Sequence, residues 1–488
     1  MTAAPDRSGA VGAVDLGATS GRVIVGHVGP NELRLEHVAR FPNGPVVSDE
    51  VNGNGLHWDI RELYRNVLEG LAAAGRASTG LASVGVDTWA VDYALLRDGR
   101  MLGTPFHYRD ERTAAGVDTV HSVVPFAELY AQNGLQFLPF NTLYQLAADR
   151  DFGVLSRADS ALLIPDLIGY WLTGQKVAEA TNASTTGLLR VDPAANSADA
   201  AWNDELIERL GFPRGLFPRL VTPGTTIGPM LPEIADTVGY TTNVTAVGSH
   251  DTASAVVAIP MTRQDAAYIS CGTWGLVGVE LEQSMLTEAS RDANFTNEGG
   301  VDGRTRFLHN VMGLWLLSES VRVWERSGLR IDLPALLAEA EALTVPVPIF
   351  DANDPRFLTP GDMPARIADW CREHDQPVPH APATFARSIL ESLADAFARA
   401  VHAAADLSGT KVGVIHIVGG GSQNAVLCQL TADRSGLPVL AGPVEATALG
   451  NVLVQARATG LIDGDLETLR ALVARTNPPR RYQPRQRS

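Results

Sequence analysis

A short link of glycine and hydroxyl residues joins two apolar runs near the start of this chain, and the same pattern returns in the second half. The runs at 11–14 and 23–28 are rich in β-branched residues, which favour strand. Between them lies Asp15-Leu16-Gly17-Ala18-Thr19-Ser20-Gly21-Arg22, which leaves room only for a tight hairpin. Roughly 255 residues later, 266–270 and 275–279 read as two strands joined by Cys271-Gly272-Thr273-Trp274. That separation is far beyond the period of a solenoid repeat. A chain of 488 residues is also too long for one core. The pattern therefore predicts two related α/β lobes. Each link suits a ligand, because glycine lets backbone approach closely and hydroxyl and N–H groups can donate to an anion. Asp15, at the end of a strand and facing the loop, can hold a metal through water. The plainer alternative is an ordinary hairpin with an exposed loop.

Charge narrows the partners. The formal net charge of −16 argues against a phosphate backbone or an anionic membrane as partner, since either calls for a basic face. An anionic nucleotide would have to be held by local backbone N–H groups and a bound cation. Only two lysines occur, Lys176 and Lys411, and neither follows a glycine, so the Walker A pattern is excluded. Cys271, Cys371 and Cys428 form no CxxC pair and predict neither a zinc site nor a disulfide framework. The polar start at 1–9 lacks an apolar signal core, and no run is long enough to span a bilayer. A reducing cytoplasm is the expected location, with no nucleic-acid or membrane partner and a monomer or homodimer as the assembly.

The organisation follows from the periodicity. The expected segments are a flexible start at 1–9, a first lobe at 10–255, a second at 256–465, and a final segment at 466–488. That last segment ends in a disordered tail from Asn477, where Arg480, Arg481, Arg485 and Arg487 stand among prolines. A helix from Asp59, its expected N-cap, carries Leu63, Val67, Leu68 and Leu71 on one face. The stretch 83–86 reads as a buried strand ending in Asp87-Thr88-Trp89, and 384–405 as a strong amphipathic helix.

Gly248-Ser249-His250-Asp251-Thr252 carries the strongest catalytic signal. It follows a strand-like run and opens a helix, which is where open α/β sheets place ligands. A carboxylate there can take a proton from a hydroxyl. The alternative is that Asp251 or Thr252 only caps the helix. Asp87 and Asp92 flank Trp89, a mixture suited to sugar hydroxyls and the apolar sugar face. The alternative there is a core tryptophan with solvent-facing acids. His107-Tyr108-Arg109-Asp110 can line the same pocket. The triple glycine at 419–421 follows a strand and opens a helix, without making a GxGxxG fingerprint. Arg150-Asp151-Phe152-Gly153 contains the DFG string of protein kinases but none of its companions, and reads as a helix ending at Gly153.

Taken in order, these motifs resemble the FGGY family of carbohydrate kinases, within the actin-like ATPase superfamily. The resemblance rests on DLGATSGR at 15–22, DTWAVDYALL at 87–96, YRDERT at 108–113, SHDTASAV at 249–256 and SCGTWGL at 270–276. It continues in the segment 296–317, the triple-glycine segment 418–439 and AGPVEATALGN at 441–451. It implies two ribonuclease-H-like lobes with an active-site cleft between them, and transfer of the γ-phosphoryl group of ATP, with Mg²⁺, to a ketose. The branch matched implies O1 of L-rhamnulose, with L-fuculose or another ketose as the alternative.

By the same resemblance, Ala18, Thr19, Ser20, Gly21 and Arg22 line the ATP phosphates and Asp15 directs Mg²⁺ through water. Asp251 is the proton acceptor. His250, Thr252, Ala90 and Asn310 contact the sugar beside Asp251. Thr273, Ser318 and Gly420 contact the nucleotide. Ala90 stands where the family often has glycine, Ser318 where this branch carries glutamine, and Ser422 where a cysteine sometimes follows the triple glycine. Two other classes remain at this stage, a non-catalytic sugar or nucleotide sensor and a filament or chaperone ATPase.

Overall fold

The computed structural model describes residues 8–48, 55–191 and 201–485, so most of the expected flexible start lies outside the described residues. The chain forms two compact units. The first comprises Met1–Thr262, Glu280–Phe307 and Ala446–Asn477, and the second Arg263–Val279, Leu308–Glu445 and Pro478–Ser488. The boundaries of these units interleave along the chain.

In the first unit, the opening hairpin is formed by the strands Gly9–Leu16 and Ser20–Gly29, and Glu32–Pro42 extends it as an antiparallel meander. Gly9–Leu16 is apolar at most positions and buried from Ala10 onward, as a central strand requires. Its other edge pairs in parallel with Val84–Thr88, which pairs in parallel with Asn243–Thr245. The antiparallel strand Thr226–Pro229 closes the sheet. The register sets Asp15 opposite Arg22 on one side and beside Asp87 on the other. The amphipathic helix Ile60–Ala77 buries Leu63, Val67 and Leu71, and the Asp59 carboxylate accepts from Glu62 N at 3.1 Å as its cap.

Helix Ala446–Ala458 also belongs to this unit and packs on the short helix Asp251–Val257. Gly450 makes that approach possible. A Cβ at Gly450 would lie 1.8 Å from the Ser254 carbonyl oxygen.

In the second unit, Ala266–Cys271 and Trp274–Leu281 form the second hairpin, which the sequence echo anticipates. Six of this sheet's strands run in the order Thr305–Met312, Trp274–Leu281, Ala266–Cys271, Val414–Val418, Val439–Ala441, Arg480–Tyr482. Ala266–Cys271, Val414–Val418 and Val439–Ala441 pair in parallel. The first five strands repeat the order 3-2-1-4-5 of the first sheet, the topological counterpart of the repeated hairpin.

The tail differs from its expectation. Arg480–Tyr482 is an antiparallel edge strand on Val439–Ala441, Tyr482 is buried, and Arg485 pairs with Asp433 at 2.6 Å. Its composition suggests disorder, but three residues suffice to extend an existing edge. The DFG string closes a helix, Thr142–Asp151, with Gly153 at φ 73° and its N–H bonded to Arg150 O at 2.8 Å. No described helix is long and apolar enough to cross a membrane.

Candidate active site

In the first unit, three parallel strands end side by side, each delivering an acid. Asp15 and Asp87 are register partners on adjacent strands. Thr88 forms a bridge with His250, and Thr88 N donates to Ser249 O at 2.9 Å, which places Asp251 beyond the third strand. Trp89 N donates to Leu16 O at 3.3 Å and ties the first two ends together. The carboxyl end of a parallel sheet is where such folds bind ligands.

Asp15 is buried and accepts from Arg22 Nε at 3.0 Å, directly across the hairpin. The loop between them is held from behind: Asn43 Nδ2 donates to Gly17 O at 2.8 Å and Asn43 N to Thr19 O at 3.1 Å. Thr19 is exposed, and Ala18, Ser20 and Arg22 are half-buried.

Asp87 is fully buried. Its Oδ2 accepts from Asn451 Nδ2 at 2.5 Å, and its Oδ1 has no partner among the described residues. Burial pushes this carboxyl well above its usual range, and the charges of Asp15 and Asp251 push it further. A cation between these acids would relieve that repulsion, so the site fits a metal held largely by phosphate oxygens and water. Among the described residues no group of three or more His, Cys, Asp or Glu side chains is arranged to hold a metal alone.

The capping alternative for Asp251 is not realised. His250 is the N-cap of the helix Asp251–Val257, and no side chain caps it. The Asp251 side chain remains 31% exposed, and its Oδ1 lies 3.4 Å from His250 Nε2. Thr252 Oγ1 donates to the same oxygen at 3.1 Å.

The loop is fixed by a residue that sequence reasoning missed. Glu179 is buried, and its Oε2 accepts from Ser249 N at 3.0 Å, Ser249 Oγ at 2.7 Å and Thr181 Oγ1 at 2.6 Å. Burial raises the Glu179 carboxyl even against these bonds. Its partner lies 70 residues away, so no local signal marks it. The buried Glu298–Arg306 pair beside His250 was missed for the same reason.

The Asp87–Asp92 segment corrects both readings of Trp89. The indole is core, 5% exposed, yet the acids beside it are buried rather than solvent-facing. Asp92 Oδ2 accepts from Trp58 Nε1 at 2.6 Å, Trp89 Nε1 at 3.1 Å and Tyr108 N at 3.1 Å. Its Oδ1 accepts from Gln145 Nε2 at 2.9 Å. Burial pushes the Asp92 carboxyl up to about 7 despite these four donors. His107 packs against Trp58 in a tilted arrangement, with ring centroids 4.1 Å apart, and burial beside Arg109 drives it down to about 3, so it is neutral. This aromatic box braces a turn in which Val91 has φ 68°, a conformation strained for a β-branched residue. The turn leaves Ala90 half-buried at its tip.

Asp92→Ala should lower stability by about 3 kcal/mol or more, because four buried donors lose their acceptor. Asp92→Asn should cost far less, because its amide oxygen keeps the three donors on one side. Thermal unfolding of the two variants checks this, and equal losses would contradict it.

The remaining expected residues belong to the second unit. Thr273 sits half-buried at the tip of the second hairpin, where Gly272 N donates to Trp274 O at 2.8 Å. Trp315 N donates to Thr273 O at 3.2 Å, which draws in the helix Trp315–Arg326 carrying the exposed Ser318. Gly419, at φ 78°, packs on the same hairpin: a Cβ there would lie 3.0 Å from Cys271 O. Gly420 beside it is exposed. The triple glycine forms a 3₁₀ turn, and Asn424 caps the helix Ala425–Ser435 that follows, accepting from Leu427 N at 3.0 Å. Asn310 lies half-buried on the strand Thr305–Met312.

Two hydroxyl-bearing hairpins each open a sheet of the same strand order. The N-terminal domain of the FGGY family of carbohydrate kinases matches residues 10–258 and its C-terminal domain residues 267–459, and the chain belongs to this family. It is 44% identical to a protein named rhamnulokinase from Pectobacterium carotovorum subsp. carotovorum (strain PC1), over 98% of this chain and 93% of that protein. It is 39% identical to a rhamnulokinase from Bacteroides thetaiotaomicron, over 97% and 95% of the two chains. Among solved structures, ligand-bound xylulose kinase from Lactobacillus acidophilus shares the fold at a TM-score of 0.75 and 17% identity, covering 98% of this chain and 94% of that one. Plasmodium falciparum glycerol kinase with ADP does so at 0.72 and 13%, covering 97% and 94%. The fold is the mixed α/β fold of these sugar-kinase structures.

Proposed function

We propose that this carbohydrate kinase transfers the γ-phosphoryl group of ATP to O1 of L-rhamnulose, giving L-rhamnulose 1-phosphate. The observation that carries the reading is the alignment of Asp15, Asp87 and Asp251 at three adjoining strand ends, beside a loop with an exposed threonine. The ketose is supported by the rhamnulokinase relatives, which align over nearly the whole of both chains. Both acids that a catalytically dead sensor would be expected to lose, Asp15 and Asp251, are present.

In the reaction, Asp251 takes the proton of the sugar O1 hydroxyl as that oxygen bonds to the γ-phosphorus and the bond to the β-phosphate oxygen breaks, releasing ADP. Positioning and charge stabilisation carry most of the catalysis. Ala18, Thr19, Ser20, Gly21 and Arg22 are assigned to the phosphates. Asp15 is assigned to Mg²⁺ through water, with Asp87 behind it, and the cation supplies charge neutralisation at the transferring phosphoryl group. His250, Thr252 and Ala90 are assigned to the sugar. The second unit's assigned contacts are Asn310 to the sugar and Thr273, Ser318 and Gly420 to the nucleotide. The three described cysteines are buried and unpaired, in keeping with a reducing cytoplasm.

Purified protein with Mg-ATP and a panel of ketoses tests the substrate. L-rhamnulose should give the highest kcat/KM, with little ATP hydrolysis when sugar is omitted. Faster turnover of L-fuculose or another ketose would reassign the substrate. Rapid sugar-independent hydrolysis would point instead to a filament or chaperone ATPase.

A further inference from the structure

We propose that Arg306, with Glu298 as its counter-charge, locks His250 in the tautomer that carries its hydrogen on Nε2, and so presents Asp251 to the sugar with only its Oδ2 free to accept the proton. The inference rests on the reading of Asp251 as the base. Arg306 and Glu298 are positioning residues, acting through His250.

Arg306 is fully buried, its Nε donates to Gly299 O at 3.0 Å, and its Nη1 lies 3.0 Å from Glu298 Oε2. Its Nη2 lies 3.1 Å from His250 Nδ1. A guanidinium has donors only and keeps its charge in proteins. Where it meets a neutral imidazole, the facing nitrogen must offer its lone pair. The ring hydrogen then sits on Nε2, the nitrogen 3.4 Å from Asp251 Oδ1.

Glu298 competes for the same ring nitrogen. Its Oε2 lies 3.3 Å from His250 Nδ1 and, alone, would draw the hydrogen there. The guanidinium lies nearer to that nitrogen, at 3.1 Å against 3.3 Å, and its Nη1 sits 3.0 Å from the carboxylate oxygen as an ion-pair contact. Burial would raise the Glu298 carboxyl, but the Arg306 charge and the His250 contact outweigh it and hold it below the usual range. Glu298 is therefore an anion that neutralises Arg306 and does not dictate the tautomer.

The consequence appears at Asp251. His250 Nε2 and Thr252 Oγ1, 3.4 and 3.1 Å away, both face Oδ1. Oδ2 has no protein partner among the described residues, and the side chain is partly exposed. The two oxygens are thus differentiated: Oδ1 accepts from Thr252 Oγ1 and has the His250 Nε2 beside it, and the other keeps its lone pairs for the substrate.

Histidine ring ¹⁵N spectra of the full-length protein test the tautomer directly, with His250 assigned by the loss of its signals in His250→Gln. The wild type should show a protonated Nε2 and a bare Nδ1. In Arg306→Met the hydrogen should move to Nδ1, facing Glu298, and in Arg306→Lys, which also only donates, it should stay on Nε2.

Kinetics give a second readout that does not require Arg306 variants to fold. The Gln side chain can place its N–H near the Nε2 position, whereas Asn places it near Nδ1. Both variants should lower kcat, and His250→Asn should lose about 10-fold more than His250→Gln, with KM for ATP unchanged in both. A wild-type spectrum with the hydrogen on Nδ1, or His250→Asn outperforming His250→Gln, overturns the proposal. Asp251→Asn separates the two levels: if that variant keeps its turnover, the base assignment fails, while the ring spectra still decide the tautomer.

Discussion

Asp251→Asn is expected to reduce turnover by about 10²- to 10⁴-fold, the usual contribution of a general base, while ATP still binds. The substitution keeps the shape of the side chain and removes its ability to accept a proton. Little of the fold depends on the charge. The contacts of the carboxylate are with its neighbours His250 and Thr252, and it does not cap the helix it opens. The loop is instead anchored by Glu179, through three bonds to Ser249 and Thr181. Unfolding should therefore be little changed, which distinguishes a catalytic loss from a structural one. A coupled assay gives kcat, and titration calorimetry with an ATP analogue gives the affinity. Turnover within tenfold of wild type would place the base elsewhere, and Asp87 would then be the next acid to test.

The second large effect is expected far from any assigned ligand contact. Gly450→Ala should destabilise the first unit by about 3 kcal/mol or more and abolish most activity. The added methyl would meet the Ser254 carbonyl oxygen at 1.8 Å and its carbon at 2.5 Å, so no side-chain rotation can relieve the clash. The helices Asp251–Val257 and Ala446–Ala458 would have to separate, and the first of them begins at the proposed base. A displacement of about 1 Å at a reacting group can cost 10²-fold in rate. Gly215→Ala is the matched control, because nothing lies within 4 Å of the Cβ it would add. Thermal unfolding and kcat measured on both variants should separate widely. Wild-type behaviour of Gly450→Ala would mean that these helices yield more readily than packed backbone should.

The elements with local signals were legible in the sequence. The short apolar runs and the glycine-hydroxyl links marked both hairpins, and Asp59 marked the start of its helix as a cap should. The candidate acids Asp15 and Asp251 stood out because each sits where a strand ends. The groups that set their surroundings did not stand out. Asn451 reaches Asp87 across 364 positions, Glu179 reaches Ser249 across 70, and Arg306 reaches His250 across 56. A single side chain of common type has no periodicity, so only the folded chain reveals such a partnership. Asp92 misled for a related reason. An acid at a strand end suggests exposure, yet two indole N–H groups, a glutamine and a backbone amide hold it inside. The tail misled through composition alone, since Arg480–Tyr482 needs only an open sheet edge to become a strand.

The interleaving of the two units bears on how the chain can mature during synthesis. The first unit takes its helix Ala446–Ala458 from residues made after nearly all of the second. At about 5–20 residues per second, the roughly 180 residues between Thr262 and Ala446 delay that helix by on the order of 10–40 s. Throughout that interval the sheet lacks its cover, and Asp87 lacks the amide of Asn451. The nascent N-terminal half is thus unfinished, with an open apolar seat until residues 446–458 have been made. Supplying Ala446–Asn477 as a separate peptide to a ribosome-stalled chain would shorten the wait.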